Sequence, residues 1–124
     1  MARRKRPQGI TFIGPGTTVE GDLRAEGGVR VDGVVLGSLF LEGDLEVAPG
    51  GRVEGEEVRA RNVVINGEVK ARVHAEGKLV LTKSGRLEGD IHARALDIEA
   101  GAVFVGRSVT GEVPALEPPP VEEG

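Results

Sequence analysis

The 124-residue chain carries 16 basic and 20 acidic side chains for a formal net charge of −4, with twenty glycines, three phenylalanines, no tyrosine or tryptophan, and no cysteine. That length allows one domain with its own core, and the missing cysteine excludes a disulfide framework or a thiolate zinc site and fits a reducing interior. Glycine this frequent with so little aromatic bulk argues against an ordinary globular core, while abundant valine and leucine argue against disorder, so a thin and regular fold is indicated.

The chain begins with a basic segment, Arg3, Arg4, Lys5 and Arg6, within residues 1–9, which reads as a flexible tail. It lacks the apolar run of a signal peptide, and no stretch approaches the roughly 20 apolar residues that span a bilayer, so a soluble, unsecreted protein is expected. Ile10, Phe12 and Ile13 follow in "ITFIG" and open the first ordered turn.

From there one column recurs. Gly16, Gly33, Gly50, Gly67, Ser84 and Gly101 stand 17 residues apart. They sit in the turn signals "GPG", "VDG", "APGG", "ING", "KSG" and "EAG", where a residue tolerant of positive φ is expected. Just beyond each corner come Val19, Val35, Val53, Val69, Leu87 and Val103, and two places further on Gly21, Gly37, Gly55, Ala71, Gly89 and Val105. Between them lie Glu20, Leu36, Glu54, Lys70, Glu88 and Phe104, so apolar and polar positions alternate with the period of a strand. A second series of corners, at Gly27–Gly28, Gly43, Asn62, Gly77 and Ala95, leads into the pairs Val29/Val31, Leu45/Val47, Val63/Ile65 and Leu79/Leu81. The register slips near Val58 and near Leu96–Ile98, which predicts bulges there.

A 17-residue step suits one turn of a narrow coil with three short faces. Six such turns, at about 4.8 Å per strand, make a rod of about 29 Å with like residues stacked on like. The predicted fold is an all-β, right-handed parallel β-helix of about six 17-residue turns over residues 10–113. A left-handed hexapeptide coil would ask for an 18-residue turn, and the rival antiparallel sandwich does not require a constant step. The last turn, "AVFVGRSV", places Phe104 where earlier turns mostly carry charge, and no amphipathic helix precedes the first. Both ends therefore read as uncovered, and end-to-end stacking of copies follows. Val103, Phe104 and Val105 at one end, with Phe12 and Ile13 at the other, are the expected junction residues. Residues 114–124 hold four prolines and read as an extended acidic tail.

The segments "GTTVEGDL", "VRVDGVVLGSL", "VVINGEVKARV" and "GRLEGDI", in this order and with the short proline-containing tail, resemble the bactofilins, bacterial cytoskeletal proteins built on a short β-helical domain. The resemblance spans the whole chain. It implies filaments formed without nucleotide, attachment to the inner face of the cytoplasmic membrane through the amino-terminal tail, and scaffolding of cell-shape or cell-wall machinery. The family's membrane segment is a short apolar motif, whereas this segment is strongly basic. Attachment is therefore expected from Arg3, Arg4, Lys5 and Arg6, each cation contributing about 1 kcal/mol near an anionic leaflet, or from Ile10, Phe12 and Ile13.

No catalytic or cofactor site is expected. "GKL" at 77–79 lacks the remainder of a phosphate loop, Ser38, Ser84 and Ser108 show no nucleophile elbow, and outward carboxylates such as Asp22, Glu88 and Asp90 have no inserted loops around them to wall a cleft. His74 and His92 fall in the column of Arg24, Phe40 and Val58 with no third metal ligand. The acidic body offers nucleic acid nothing beyond the short basic tail. The alternative to a polymerising scaffold is a monomeric β-solenoid that binds a carbohydrate or protein partner on a flat outer face.

Overall fold

The computed structural model describes residues 9–110. Fourteen strands follow one another: β1 (Ile10–Ile13), β2 (Thr18–Glu20), β3 (Leu23–Ala25), β4 (Gly28–Val31), β5 (Val34–Leu36), β6 (Leu39–Leu41), β7 (Leu45–Val47), β8 (Arg52–Ala60), β9 (Val63–Ile65), β10 (Glu68–Leu81), β11 (Arg86–Glu88), β12 (Ile91–Ile98), β13 (Val103–Val105) and β14 (Ser108–Val109). Every pairing is parallel. The chain is a parallel β-solenoid of about six turns with three faces. The first face stacks β2, β5, the start of β8, the start of β10, β11 and β13. The second stacks β3, β6, the end of β8, the middle of β10, the start of β12 and β14. The third stacks β1, β4, β7, β9 and the ends of β10 and β12.

The step between turns is not a uniform 17 residues. Along the first face Val19 pairs with Val35, Val35 with Val53, Val53 with Val69 and Val69 with Leu87, which are steps of 16, 18, 16 and 18. The cause lies at the corner between the third and first faces. Residues 14–17, 48–51 and 82–85 are four-residue corners, while 32–33 and 66–67 have only two. The four-residue corners close as β-turns, with Thr17 N–H donating to the Gly14 carbonyl at 3.1 Å, Gly51 to Ala48 at 2.7 Å and Gly85 to Thr82 at 2.8 Å. Pro15 and Pro49 precede Gly16 and Gly50, whose φ values of 84° and 92° are those of the third residue of a type II turn. At the two-residue corners the expectation of positive φ fails. Gly33 and Gly67 have ordinary φ, and glycine is required there because a Cβ would run into the backbone of the wider corner in the preceding turn.

The core is the set of inward columns. On the first face it runs Val19, Val35, Val53, Val69, Leu87; on the second Leu23, Leu39, Val58, Val73, Ile91, beside Ala25, Leu41, Ala60, Ala75, Ala93; on the third Val29, Leu45, Val63, Leu79, beside Ile13, Val31, Val47, Ile65, Leu81. Branched aliphatics stacked at strand spacing exclude water along the axis, and burying each contributes about 1.5–3 kcal/mol. Both expected bulges are present. One falls where Lys70 and Arg72 oppose Glu54 and Glu57, the other where Ala75 and Lys78 oppose Ala93 and Ala95. At the first, Ser38 is buried, its Oγ accepts the Glu57 N–H at 3.1 Å and its own N–H donates to Asp22 Oδ1 at 3.1 Å. This hydroxyl serves the backbone of a bulge.

Candidate assembly interface

The two ends of the rod decide what the molecule can do, because a solenoid satisfies its ladder everywhere except there. At the carboxy-terminal end β13 pairs only with β11 and β14 only with β12, so among the described residues their outer edges have no partner. At the amino-terminal end β1, β2 and β3 pair only with β4, β5 and β6.

The last turn departs from the sequence reading by one residue. Phe104, not Val103, stands over Leu87, while Val103 stands over Arg86 and Val105 over Glu88. The fifth turn has lost a residue at the second bulge, and the following corner, 99–102, is again four residues wide, with Ala102 N–H donating to Glu99 at 3.0 Å. The step there is 17 rather than 16. Phe104 therefore continues the inward column and is half-buried against the core. Val103 and Val105 face outward at 40% and 57% exposure, and the glycine column ends on Gly106, whose absent Cβ leaves room for Gly89. Leu96 over Leu79 and the exposed Ile98 over Leu81 complete the open end, with Ser108 over Ile91.

At the other end Ile13 is buried in the core cluster at 5% exposure, so it offers little surface to a partner or a membrane. Phe12 is not on the axis either. It stacks over Arg30 on the outside of the third face, 59% exposed, with Ile10 beside it at 74%. The inward columns begin at this end with Thr11, Ile13, Val19, Leu23 and Ala25, and of these Thr11, Val19 and Leu23 are not among the junction residues expected from the sequence. Their signal was present, since each heads a column continued by Val29, Val35 and Leu39. Arg3, Arg4, Lys5 and Arg6 lie outside the described residues.

The long faces differ in electrostatics. The first carries a ladder of ion pairs, Arg52 with Glu54 and Glu68, Lys70 with Glu68, and Arg86 with Glu88. Arg86 beside it holds the Glu88 carboxyl below its usual range. The second presents Arg24, Phe40, Arg59, His74, His92 and Val109 in one outward column, with Arg59 where Val58 was expected, Val58 itself being buried. Arg24 lies over the Phe40 ring at 5.1 Å, and His74 stacks on His92 at 6.2 Å between centroids. Partial burial, then Arg59 and His92, push the His74 pKa down from its ordinary value. Among the described residues no three His, Asp or Glu side chains gather as a metal site would require.

The family model for bactofilins, described as polymer-forming cytoskeletal, matches residues 11–109. The chain belongs to the bactofilin family. Its match to a cryo-EM reconstruction of Thermus thermophilus bactofilin double helical filaments has 60% identity and a TM-score of 0.79, covering 82% of this chain and 99% of the other. A crystal structure of a phenylalanine-to-arginine mutant of Thermus thermophilus bactofilin matches at 56% identity and TM-score 0.69, over 73% of this chain and 99% of that one. The solid-state NMR structure of the cytoskeletal bactofilin BacA matches at 33% identity and TM-score 0.72, over 83% and 97%. A comparison with curated proteins gave no match.

Proposed function

We propose that this bactofilin polymerises end to end without nucleotide into a cytoskeletal filament, held at the inner face of the cytoplasmic membrane by residues 1–13, and that the filament scaffolds cell-shape or cell-wall machinery. The observation that carries the reading is the open end of the core: among the described residues the inward column runs to Phe104 and stops at a strand edge with no partner. A second copy placed on that edge continues both the ladder and the apolar column, and the same holds at Thr11, Val19 and Leu23. The 60% identical relative that forms double helical filaments supports the same behaviour here. The role is structural rather than catalytic. Membrane attachment is supported by Ile10 and Phe12, which stand exposed next to the basic segment.

Phe104→Arg tests the junction, since it puts a charge into a contact that buries it, at a cost of several kcal/mol. The expected product is a folded, β-rich protomer or closed dimer by sedimentation and circular dichroism; filaments of unchanged length in electron micrographs would reject this end as the junction. Deleting residues 1–9 together with Ile10→Ser and Phe12→Ser tests attachment and leaves Thr11 and Ile13 of β1 in place. Co-sedimentation with vesicles containing anionic lipid should be lost while the remaining chain still polymerises, and equal vesicle binding by the shortened chain would assign attachment elsewhere.

A further inference from the structure

Where the second and third faces meet near the amino-terminal end, the outer surface sinks into an open cavity of about 670 Å³. Gly28 and Gly43 keep its floor low, and the carboxylates of Glu26, Glu42, Asp44 and Glu46 stand around it. The exposed Ile10 forms one rim. The chain joins the rod at this mouth, because the Gly9 carbonyl accepts the Gly28 N–H at 3.2 Å and residues 1–8 precede it. Two guanidinium groups also line the cavity without neutralising it. Arg30 is taken by Asp32 at 2.8 Å and by Glu46 at 3.4 Å, and Arg61 makes no ion pair among the described residues. Neither Glu26 nor Glu42 has a cation in contact there, and Asp44 receives only the Asn62 side-chain amide at 3.2 Å. Glu26 and Glu42 follow the paired residues Ala25 and Leu41, so two like charges stand on neighbouring turns, an arrangement that costs stability until a counter-charge covers it.

We infer that this cavity is the docking site of Arg3, Arg4, Lys5 and Arg6 of the same chain, which lie against Glu26, Glu42 and Asp44. Reach permits it: Arg6 stands three residues before Gly9 and Arg3 six, which at about 3.3 Å per residue is about 10–20 Å, while the cavity runs two turns from Ile10 to Asp44, about 10 Å. Pro7 has no N–H for a ladder and disfavours the α region at Arg6, which suits an extended strip laid along a groove. Charge selects the place. The first face consumes its carboxylates in its own ion-pair ladder, and the outward column of the second carries Arg24 and Arg59, which repel the segment. The other segment outside the described residues, 111–124, is acidic and follows β14 at the opposite end. The same four cations cannot lie in the cavity and on an anionic leaflet at once, so the cavity competes with the membrane for them; this consequence rests on the attachment reading above, whereas the docking itself does not.

Zero-length cross-linking of the full-length chain tests the docking. A carbodiimide joins a lysine amine to a carboxylate in contact with it, taking up the water that amide formation releases. Lys5 is the only lysine before Lys70, and Lys70 with Glu68, at 3.9 Å on the first face, is the internal control. Peptide mass spectrometry is expected to find Lys5 joined to Glu26, Glu42 or Asp44, less so at high salt, and with no mixed-isotope product from a mixture of nitrogen-14 and nitrogen-15 chains. The Lys70–Glu68 product without these, Lys5 joined indifferently to carboxylates of all three faces, or mixed-isotope products overturn the docking. Vesicle binding tests the competition. A segment docked for about nine-tenths of the time shows a membrane about a tenth of its intrinsic affinity, so the combined Glu26→Gln, Glu42→Gln and Asp44→Asn chain is expected to bind vesicles containing anionic lipid about tenfold more tightly than a chain with Glu20→Gln, Asp90→Asn and Asp97→Asn, which changes the net charge equally. Equal binding by the two overturns the competition. If no chain binds vesicles while the Lys5 cross-links form, the attachment reading fails and the docking stands.

Discussion

The corner between the second and third faces allows steric stacking to be separated from backbone conformation. A Cβ added at Gly43 would lie 2.6 Å from the Gly27 carbonyl carbon and 2.8 Å from both the Gly27 oxygen and the Gly28 nitrogen, all main-chain atoms of the preceding turn. Ordinary carbon contacts begin at about 3.5 Å, so Gly43→Ala must open the stack there by about 1 Å. The bonds that resist are Glu42 N–H to the Ala25 carbonyl and Val29 N–H to Asp44, both at 3.0 Å, and Arg61 N–H to Gly43 at 2.8 Å. Stretching two of them beyond useful length, each worth about 1 kcal/mol net and more where the groups stay dry, gives an expected loss of about 2–4 kcal/mol. Gly50 is the control. It has φ of 92° and nothing within 4 Å of its added Cβ, so Gly50→Ala costs only the left-handed conformation, about 1–2 kcal/mol. Guanidinium unfolding followed by far-ultraviolet circular dichroism, with both substitutions in the unassembled Phe104→Arg background, measures the two losses. A Gly43→Ala loss no larger than that of Gly50→Ala would mean that the turns are not held in van der Waals contact at this corner.

Two further outcomes follow from the side chains on the faces. The folded state lowers the His74 pKa, so the unfolded chain binds the proton more readily and stability falls as pH drops through the ordinary histidine range near about 6.5; His74→Gln should flatten the unfolding midpoint against pH below that value, and an unchanged profile would place the pH sensitivity elsewhere. Arg52 pairs with Glu54 and Glu68 on an open face, so Arg52→Ala is expected to cost less than about 1 kcal/mol and to cost less still at high salt, as seen in denaturation at two ionic strengths.

How much of this was legible in the sequence depends on what each column has to do. The inward positions were readable because a solenoid stacks like on like, and Val35, Val53 and Val69 or Val31, Val47 and Ile65 can be picked out by alternation alone. Both bulges were readable too, from Glu57 and Asp97 breaking that alternation. The true step was not, because aligning Gly16 with Gly33 matches the third residue of a wide corner to the second of a narrow one, and the average of 16 and 18 is 17. Proline marks two of the four wide corners, "GPGT" and "APGG", while "TKSG" and "EAGA" are as wide without it and the narrow "DG" and "NG" also lack it. The same averaging misplaced Phe104. Continuing a 16-residue step past Leu87 lands on Val103, and only the width of "EAGA" together with the residue missing beside Arg94 moves the phenylalanine onto the axis. Hydrophobicity alone puts Phe12 with Ile13 among the expected junction residues, whereas the pleat that buries Ile13 must turn its neighbour outward.

Wide and narrow corners in alternation also act as a ruler. Four consecutive turns have bodies of 14 residues, 18–31, 34–47, 52–65 and 68–81, separated by two, four and two residues. A narrow corner fits beneath a wide one, so the natural increment of length is the 34-residue double turn, worth about 9.6 Å of rod. Residues 34–67 form one such cassette, which can be copied or removed without altering the fit above or below it. Where a wide corner follows a wide one, at 82–85 and 99–102, the residue missing from β12 beside Arg94 brings the step to 17, and the last described turn falls outside the cassette's alternation.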